Sequence, residues 1–407
     1  MTIIVDLVYL LILPFVLIAA LISRFKGHPK RKDLLGRLGH GPVLTEHPKR
    51  ILLHAVSVGE VNALRKLVPE LVLHGYDIVI CVTTDTGLEL AKSLYGEAYT
   101  VTRFPFDLSF AVRRFLNRIK PTIVALVELE VWPNMIGTCT KRGIPILVIN
   151  GRLSERSFRR YKFAKHLLRS TFEKLTAIGM QNETYAQRVR ELYGNNVQVF
   201  GTMKWDNAVI TDTVDGAEEL ASDLGIDMNK RLIVAGSTTP EEHELLVRIL
   251  PDDVQLLCAQ RRPEWFDNAA ITLSPCNRRT ESKRLDTRFF LLDTIGELDK
   301  AYSLADIVVI GRSFVPLHGS DPTQAIALGK PTIIGPNVGD FTDMIATLVD
   351  GGGIIQCTSD QLQMTLSDLL DDSEQCLQLA TAGRSIIQSQ QGVTHRYLNF
   401  IVESTPT

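Results

Sequence analysis

The chain has 407 residues, 45% hydrophobic and 22% charged, a length for two or three domains and a balance that excludes a disordered protein. Its formal net charge of −2 leaves no bulk positive field of the kind a nucleic-acid binder carries. Six scattered cysteines (Cys81, Cys139, Cys258, Cys276, Cys357 and Cys376) form no CxxC pair, which argues against a disulfide framework or zinc site and for reduced thiols.

The first element is IIVDLVYLLILPFVLIAALI, residues 3–22, about 20 apolar residues with the single charge Asp6, long enough to cross a bilayer as a helix. No basic region precedes it and no small-residue cleavage site follows, unlike a cleaved signal peptide. The basic flank RFKGHPKRK, residues 24–32, predicts that the rest of the chain stays on the cytoplasmic side of the membrane. Asp6 and Pro14 leave open a helix lying in the interface.

From residue 50, short β-branched runs alternate with amphipathic stretches. RILLHAVS, YDIVICVTT, PTIVALVELE, IPILVING, LTAIGMQ and VQVFG read as strands, with EVNALRKLVPELVLHG and TGLELAKSLYG as helices between the first of them. A second series runs through RLIVAGST, DVQLLCAQ, RFFLLDT, ADIVVIG, KPTIIG and GGIIQC, and residues 373–403 read as helix. This pattern predicts two α/β halves, each with a parallel sheet covered on both faces, joined by a linker near 206–230. Ligands of open α/β sheets bind at the carboxyl ends of strands, so a cleft between two such halves is the expected site.

Five stretches carry candidate chemistry. Ser57-Val58-Gly59-Glu60 puts a glutamate where a strand end meets a helix start. It reads either as a helix cap complementing the dipole or as a general base. ELEVWPN, residues 128–134, sets Glu128 and Glu130 at the end of an apolar strand, where alternate residues share a face. Residues 151–170 interleave Arg152, Arg156, Arg159, Arg160, Lys162, Lys165, His166 and Arg169 with Phe158, Tyr161, Phe163, Leu167 and Leu168, either a solvated face or a basic amphipathic surface for lipid phosphates. In the second half, AGSTTPEEHELL (235–246) opens a helix at Pro240, and QRRPEWF (260–266) offers Arg261 and Arg262 to a phosphate. No nucleotide-binding G-x-G-x-x-G or P-loop, no HExxH and no metal site stands out.

In this order SVGE, ELEVWPN, NGRLSERS, GTMKWDN, GST, RRPE, GEL, ADI, GRS and ALGKP resemble the bacterial 3-deoxy-D-manno-octulosonic acid (Kdo) transferases that act on lipid A precursors. The resemblance runs through nearly the whole chain. It implies a GT-B fold of two Rossmann-like doubly wound domains facing a cleft. Residues 1–33 would be membrane anchor and basic flank, 34–210 the acceptor-side domain, and 211–407 the CMP-sugar-binding domain with the terminal helix. It implies an inverting transfer of Kdo from CMP-Kdo to a lipid A precursor at the inner membrane, with no cofactor, metal or nucleic acid. Glu60 would be the general base, and Glu130 and Lys204 would stabilise the transition state. Arg261, Arg262, Ile295, Gly296, Glu297, Asp321, Pro322, Thr323 and Gln324 would bind the CMP donor. Asp321 and Gln324 stand where the family has asparagine and glutamate, and VPLHGSDP departs from its glycine-rich loop. An altered-donor or non-catalytic paralogue that binds a nucleotide sugar is therefore the alternative. A different glycosyltransferase or a nucleotide-sugar epimerase of the same architecture fits the motif order less well.

Overall fold

A computed structural model describes residues 6, 7, 9, 11, 34–194, 196–339 and 341–405. Most of the expected anchor, residues 3–22, lies outside the described residues. Among those described, no helix is long and apolar enough to cross a membrane.

The chain forms two compact α/β units, Met1–Asp206 with Gly392–Thr407, and Asn207–Gln391. In the first, β1 (Arg50–Ala55), β2 (Asp77–Val82), β3 (Thr100–Arg103), β4 (Ile123–Val127), β5 (Ile146–Gly151), β6 (Ala177–Met180) and β7 (Val197–Val199) build one sheet. Its order is β3-β2-β1-β4-β5-β6-β7, and every pairing is parallel. In the second, β8 (Leu232–Thr238), β9 (Gln255–Gln260), β10 (Asn277–Arg278), β11 (Phe289–Leu292), β12 (Ile307–Ile310), β13 (Thr332–Ile334) and β14 (Ile355–Gln356) order as β10-β11-β9-β8-β12-β13-β14, again all parallel. Each sheet reverses its winding once, between β1 and β4 and between β8 and β12. Such reversal points open a crevice at the carboxyl ends of the strands.

The strands read as unbroken apolar runs because both faces are covered. In β4, Ile123, Ala125 and Val127 join one core cluster and Val124 and Leu126 the other. The first of these clusters is closed by Val393, Tyr397, Leu398, Phe400 and Ile401 from the last helix, Val393–Ser404. Chain order places that helix with the second half, but it packs on the first sheet instead. Phe200 meets Tyr397 and Phe400 at 5.1 Å between ring centroids. Asp206 also accepts the Gly392 and Thr394 N–H groups at the helix start. An amphipathic stripe states which face is buried, not which sheet buries it.

Two further elements differ from the sequence reading. The single helix expected after β1 is two, Val58–Ala63 and Leu67–Leu73. Pro69 has no N–H to donate and belongs in a first turn, so the helix restarts just before it. The expected linker carries a helix of its own, Ala217–Leu224, ended by Gly225 at φ 76°.

Candidate active site

The winding reversal of the first sheet gathers acidic side chains. Ser57 caps the Val58–Ala63 helix, its hydroxyl accepting the Glu60 N–H. The Glu60 carboxylate turns back to accept the Val56 N–H at 2.7 Å and the Ser57 hydroxyl at 2.9 Å. Both are helix-start contacts, as the capping reading expects, yet Glu60 is only 5% exposed. Burial first, and then the charge of Glu128, with a smaller part from Glu130, push its pKa up to about 8 against the opposing Val56 and Ser57 hydrogen bonds.

Glu128 and Glu130 follow β4, the neighbour of β1. The strand ends at Val127 and Glu128 adopts φ 56°, so the two acids do not alternate as strand residues. They are brought to the site by a left-handed turn at Glu128. Burial and the Glu128 charge push Glu130 up to about 7. Both acids line a cavity of ≈ 310 Å³ with Arg152, Ser154, Ser157 and Tyr161, a polar pocket suited to hydroxyl-rich ligands. Asn150, at φ 53° near the end of β5, accepts the Met203 N–H at 3.1 Å. It thereby fixes the turn that carries Lys204 in the same unit. Non-glycine residues in this backbone region gather at functional sites, where the fold over-determines them.

The WPN segment is held by a residue that sequence reasoning missed. Pro133 opens the Pro133–Lys141 helix with no side-chain cap from Trp132. Asp107, fully buried, supplies the cap by accepting the Asn134 and Met135 N–H groups at 2.9 and 2.8 Å. Its burial raises its pKa to about 7 against those two bonds. Asp6 accepts the Asn134 amide N–H at 3.0 Å and the Ser109 N–H at 2.8 Å. The lone charge of the apolar N-terminal run is thus bonded within this unit.

In the second unit the expected donor residues are spread more widely. Arg261 follows β9, and its N–H donates to the Thr238 carbonyl at 3.3 Å. Arg262 turns away to Glu264 at 3.6 Å and lies 5.0 Å over the Trp265 ring. Ile295 is exposed and Gly296 turns at φ 96°. Glu297 is bound to Thr294 at 2.6 Å, Arg279 at 3.3 Å and Lys300 at 3.5 Å. Asp321 accepts the N–H and hydroxyl of Thr323 at 2.9 and 2.7 Å. Pro322 precedes the short Thr323–Ala327 helix, and the Gln324 amide oxygen accepts the Val209 N–H at 3.3 Å. Arg261 and Asp321 both act on the buried Tyr302, so these two share one neighbourhood. Among the described residues, no group of three His, Cys, Asp or Glu side chains could hold a metal ion.

Residues 32–207 match the family profile described as 3-Deoxy-D-manno-octulosonic-acid transferase (kdotransferase). Over 393 residues the chain is 29% identical to a 3-deoxy-D-manno-octulosonic acid transferase of Haemophilus influenzae, covering 91% of each chain. Over 373 residues it is 27% identical to that of Bordetella pertussis, covering 86% of each. Among solved structures, a glycosyltransferase from Rickettsia africae superposes with a TM-score of 0.61 at 13% identity over 88% of this chain and 99% of that one. MurG of Acinetobacter baumannii superposes at 0.57 and 15% over 88% and 100%. At such identities these two likenesses concern the fold alone.

Proposed function

The chain belongs to the 3-deoxy-D-manno-octulosonic acid transferase family of glycosyltransferases, and from that membership we propose that it moves Kdo from CMP-Kdo to a lipid A precursor. The reading includes a GT-B fold, inversion at the anomeric carbon and Glu60 as general base. The acceptor hydroxyl gives its proton to Glu60 as its oxygen bonds to the anomeric carbon, and CMP leaves with the electron pair of the bond it loses. A sugar hydroxyl is a weak acid, and a carboxylate raised toward neutrality is better matched to it than an ordinary one. Glu130 and Lys204 act on the charge that develops, and Arg261 on the departing phosphate.

The observation that carries this reading is the buried Glu60 carboxyl beside Glu128 and Glu130 at the winding reversal of the first sheet. Three acids held close in a packed unit cost stability, a pattern typical of sites kept for chemistry. The lipid acceptor is supported by the helices Glu155–Phe163 and Lys165–Phe172. The first has no buried residue, and Phe163 stands 97% exposed among Arg159, Arg160 and Lys162, as on a surface that meets an anionic bilayer. The same reading keeps residues 3–22 as an anchor in a bacterial inner membrane, with the catalytic units on its cytoplasmic face.

The test is incubation of the detergent-solubilised full chain with CMP-Kdo and a tetraacylated lipid A precursor, followed by product mass and CMP release. Transfer that is lost in Glu60→Ala supports the reading. One observation favours a second one, a paralogue that binds a nucleotide sugar without transferring Kdo: the Gln324 amide oxygen is already engaged by Val209. Cytidine nucleotide binding by folded protein, with neither transfer nor CMP release, would place that reading ahead.

A further inference from the structure

The second sheet reverses its winding between β8 and β12, and a residue the sequence reading passed over stands there. Arg312 lies two residues beyond β12 with φ 59°. Glycine reaches that backbone region without penalty, whereas a long side chain enters it only when its surroundings enforce it. Here they do. The buried Glu242 carboxylate accepts the Arg312 N–H at 2.8 Å and the Ser313 and Phe314 N–H groups at 3.0 Å. The Arg312 carbonyl accepts the Gly319 N–H at 2.9 Å, and one guanidinium nitrogen donates to the Leu317 carbonyl at 2.9 Å. The peptide of Gly311 bonds to Gly236 of β8, so Arg312 flanks the irregular Ser237–Thr238 end of β8 on one side. Arg261, bonded through its N–H to Thr238, flanks it on the other.

These two cations are electrostatic neighbours. Burial first, and then the charge of Arg312, hold the Arg261 guanidinium below its ordinary value. Among the described residues neither forms an ion pair with a carboxylate. Arg261 is exposed and Arg312 half-buried, so both guanidiniums are open to a ligand at the carboxyl end of a parallel sheet, and an anion between them would relieve their mutual repulsion through charge-assisted hydrogen bonds.

We propose that Arg312 and Arg261 together clamp the phosphate of a nucleoside-monophosphate-linked sugar, with Arg312 as a second cation matched to the released nucleotide. The donor phosphodiester carries one negative charge. The nucleoside monophosphate that leaves carries between one and a half and two near neutrality. The second guanidinium therefore gains attraction as the glycosidic bond to phosphate breaks. Glu242 serves as the positioning residue that holds Arg312 in place. This assignment rests on the nucleotide-sugar reading for its ligand class.

The experiment is calorimetric titration of the detergent-solubilised full chain with CMP and, separately, with cytidine, in wild type, Arg312→Gly and Arg312→Lys. Glycine relieves the strained backbone, so its melting temperature should equal or exceed that of wild type. CMP affinity should fall at least tenfold in Arg312→Gly and less in Arg312→Lys, with cytidine affinity unchanged. Equal CMP affinity in wild type and Arg312→Gly overturns the clamp while leaving the functional reading intact. An equal loss of CMP and cytidine affinity also overturns it, since that is the signature of a merely structural residue. A wild-type chain that binds neither compound defeats both the clamp and the nucleotide-sugar reading.

Discussion

Glu60→Gln sets stability and activity against each other in a way the structure quantifies. Burial and the neighbouring Glu128 charge raise the Glu60 pKa from 4.5 to about 8. At 1.36 kcal/mol per pH unit, holding that proton in the folded chain corresponds to about 5 kcal/mol. Because folding raises the value, this stability is complete below about pH 4.5 and is lost as pH rises through about 8. Glutamine cannot ionise and so escapes the loss. It keeps an acceptor oxygen for Val56, and the Ser57 hydroxyl can rotate to accept from the new amide, so at pH 5 its cost is about 1 kcal/mol. The melting temperature of Glu60→Gln minus that of wild type should therefore start at or below zero at pH 5 and become positive by pH 9. Over the same range, transfer by the variant should be about 10²–10⁴-fold slower. Wild-type kcat/KM should rise with pH to a plateau above about 8 as the base ionises. Thermal melts across pH and CMP-release kinetics measure the two sides. A melting difference that stays flat from pH 5 to 9 would refute the raised carboxyl, and undiminished transfer by the variant would refute its role as base.

Asp107→Ala strips the Pro133–Lys141 helix of its cap and leaves two buried N–H groups unpaired, which should cost about 2 kcal/mol or more and lower the melting temperature by several degrees. An unchanged melt would show that the carboxylate does not hold the WPN turn. Phe163→Ser, at a side chain 97% exposed, should leave the melt unchanged and reduce co-sedimentation with phosphatidylglycerol vesicles; equal co-sedimentation would count against a membrane-facing surface. Gly236→Ala would bring a methyl group to 2.0 Å from the Tyr302 hydroxyl oxygen, and overpacking of this kind costs about 1–3 kcal/mol. Two carbons of the Tyr302 ring lie 2.5 Å from the same methyl, so adding Tyr302→Phe should restore little of that loss, and an unchanged melt in Gly236→Ala would refute the clash.

Much of the fold was legible because local chemistry writes it. β-Branched runs marked the strands, and Pro240 marked a helix start. The position of Glu60 was legible for the same reason, a carboxylate in the short passage from an apolar strand to a helix start. Asp107 and Arg312 were not. Asp107 looks like an ordinary loop acid until the Pro133–Lys141 helix is brought against it. Arg312 looks like an ordinary cation until φ 59° and the Glu242 cradle are known. Reading Glu128 and Glu130 as alternating strand residues failed because the strand stops one residue earlier, and the backbone sign at Glu128 has no single-residue signature.

By itself the sequence determined two parallel-sheet α/β units and the polar turns at their strand ends, since unbroken apolar runs, prolines, glycines and caps act within a few residues of themselves. Only the tertiary structure decided that β1 lies beside β4 and β8 beside β12, and that the final helix closes the first core. Those pairings join backbone far apart in the chain, through ladders and apolar faces that many partners could satisfy locally. Total packing selects one arrangement, and that arrangement sets Glu60 beside Glu128 and Arg312 across the end of β8 from Arg261.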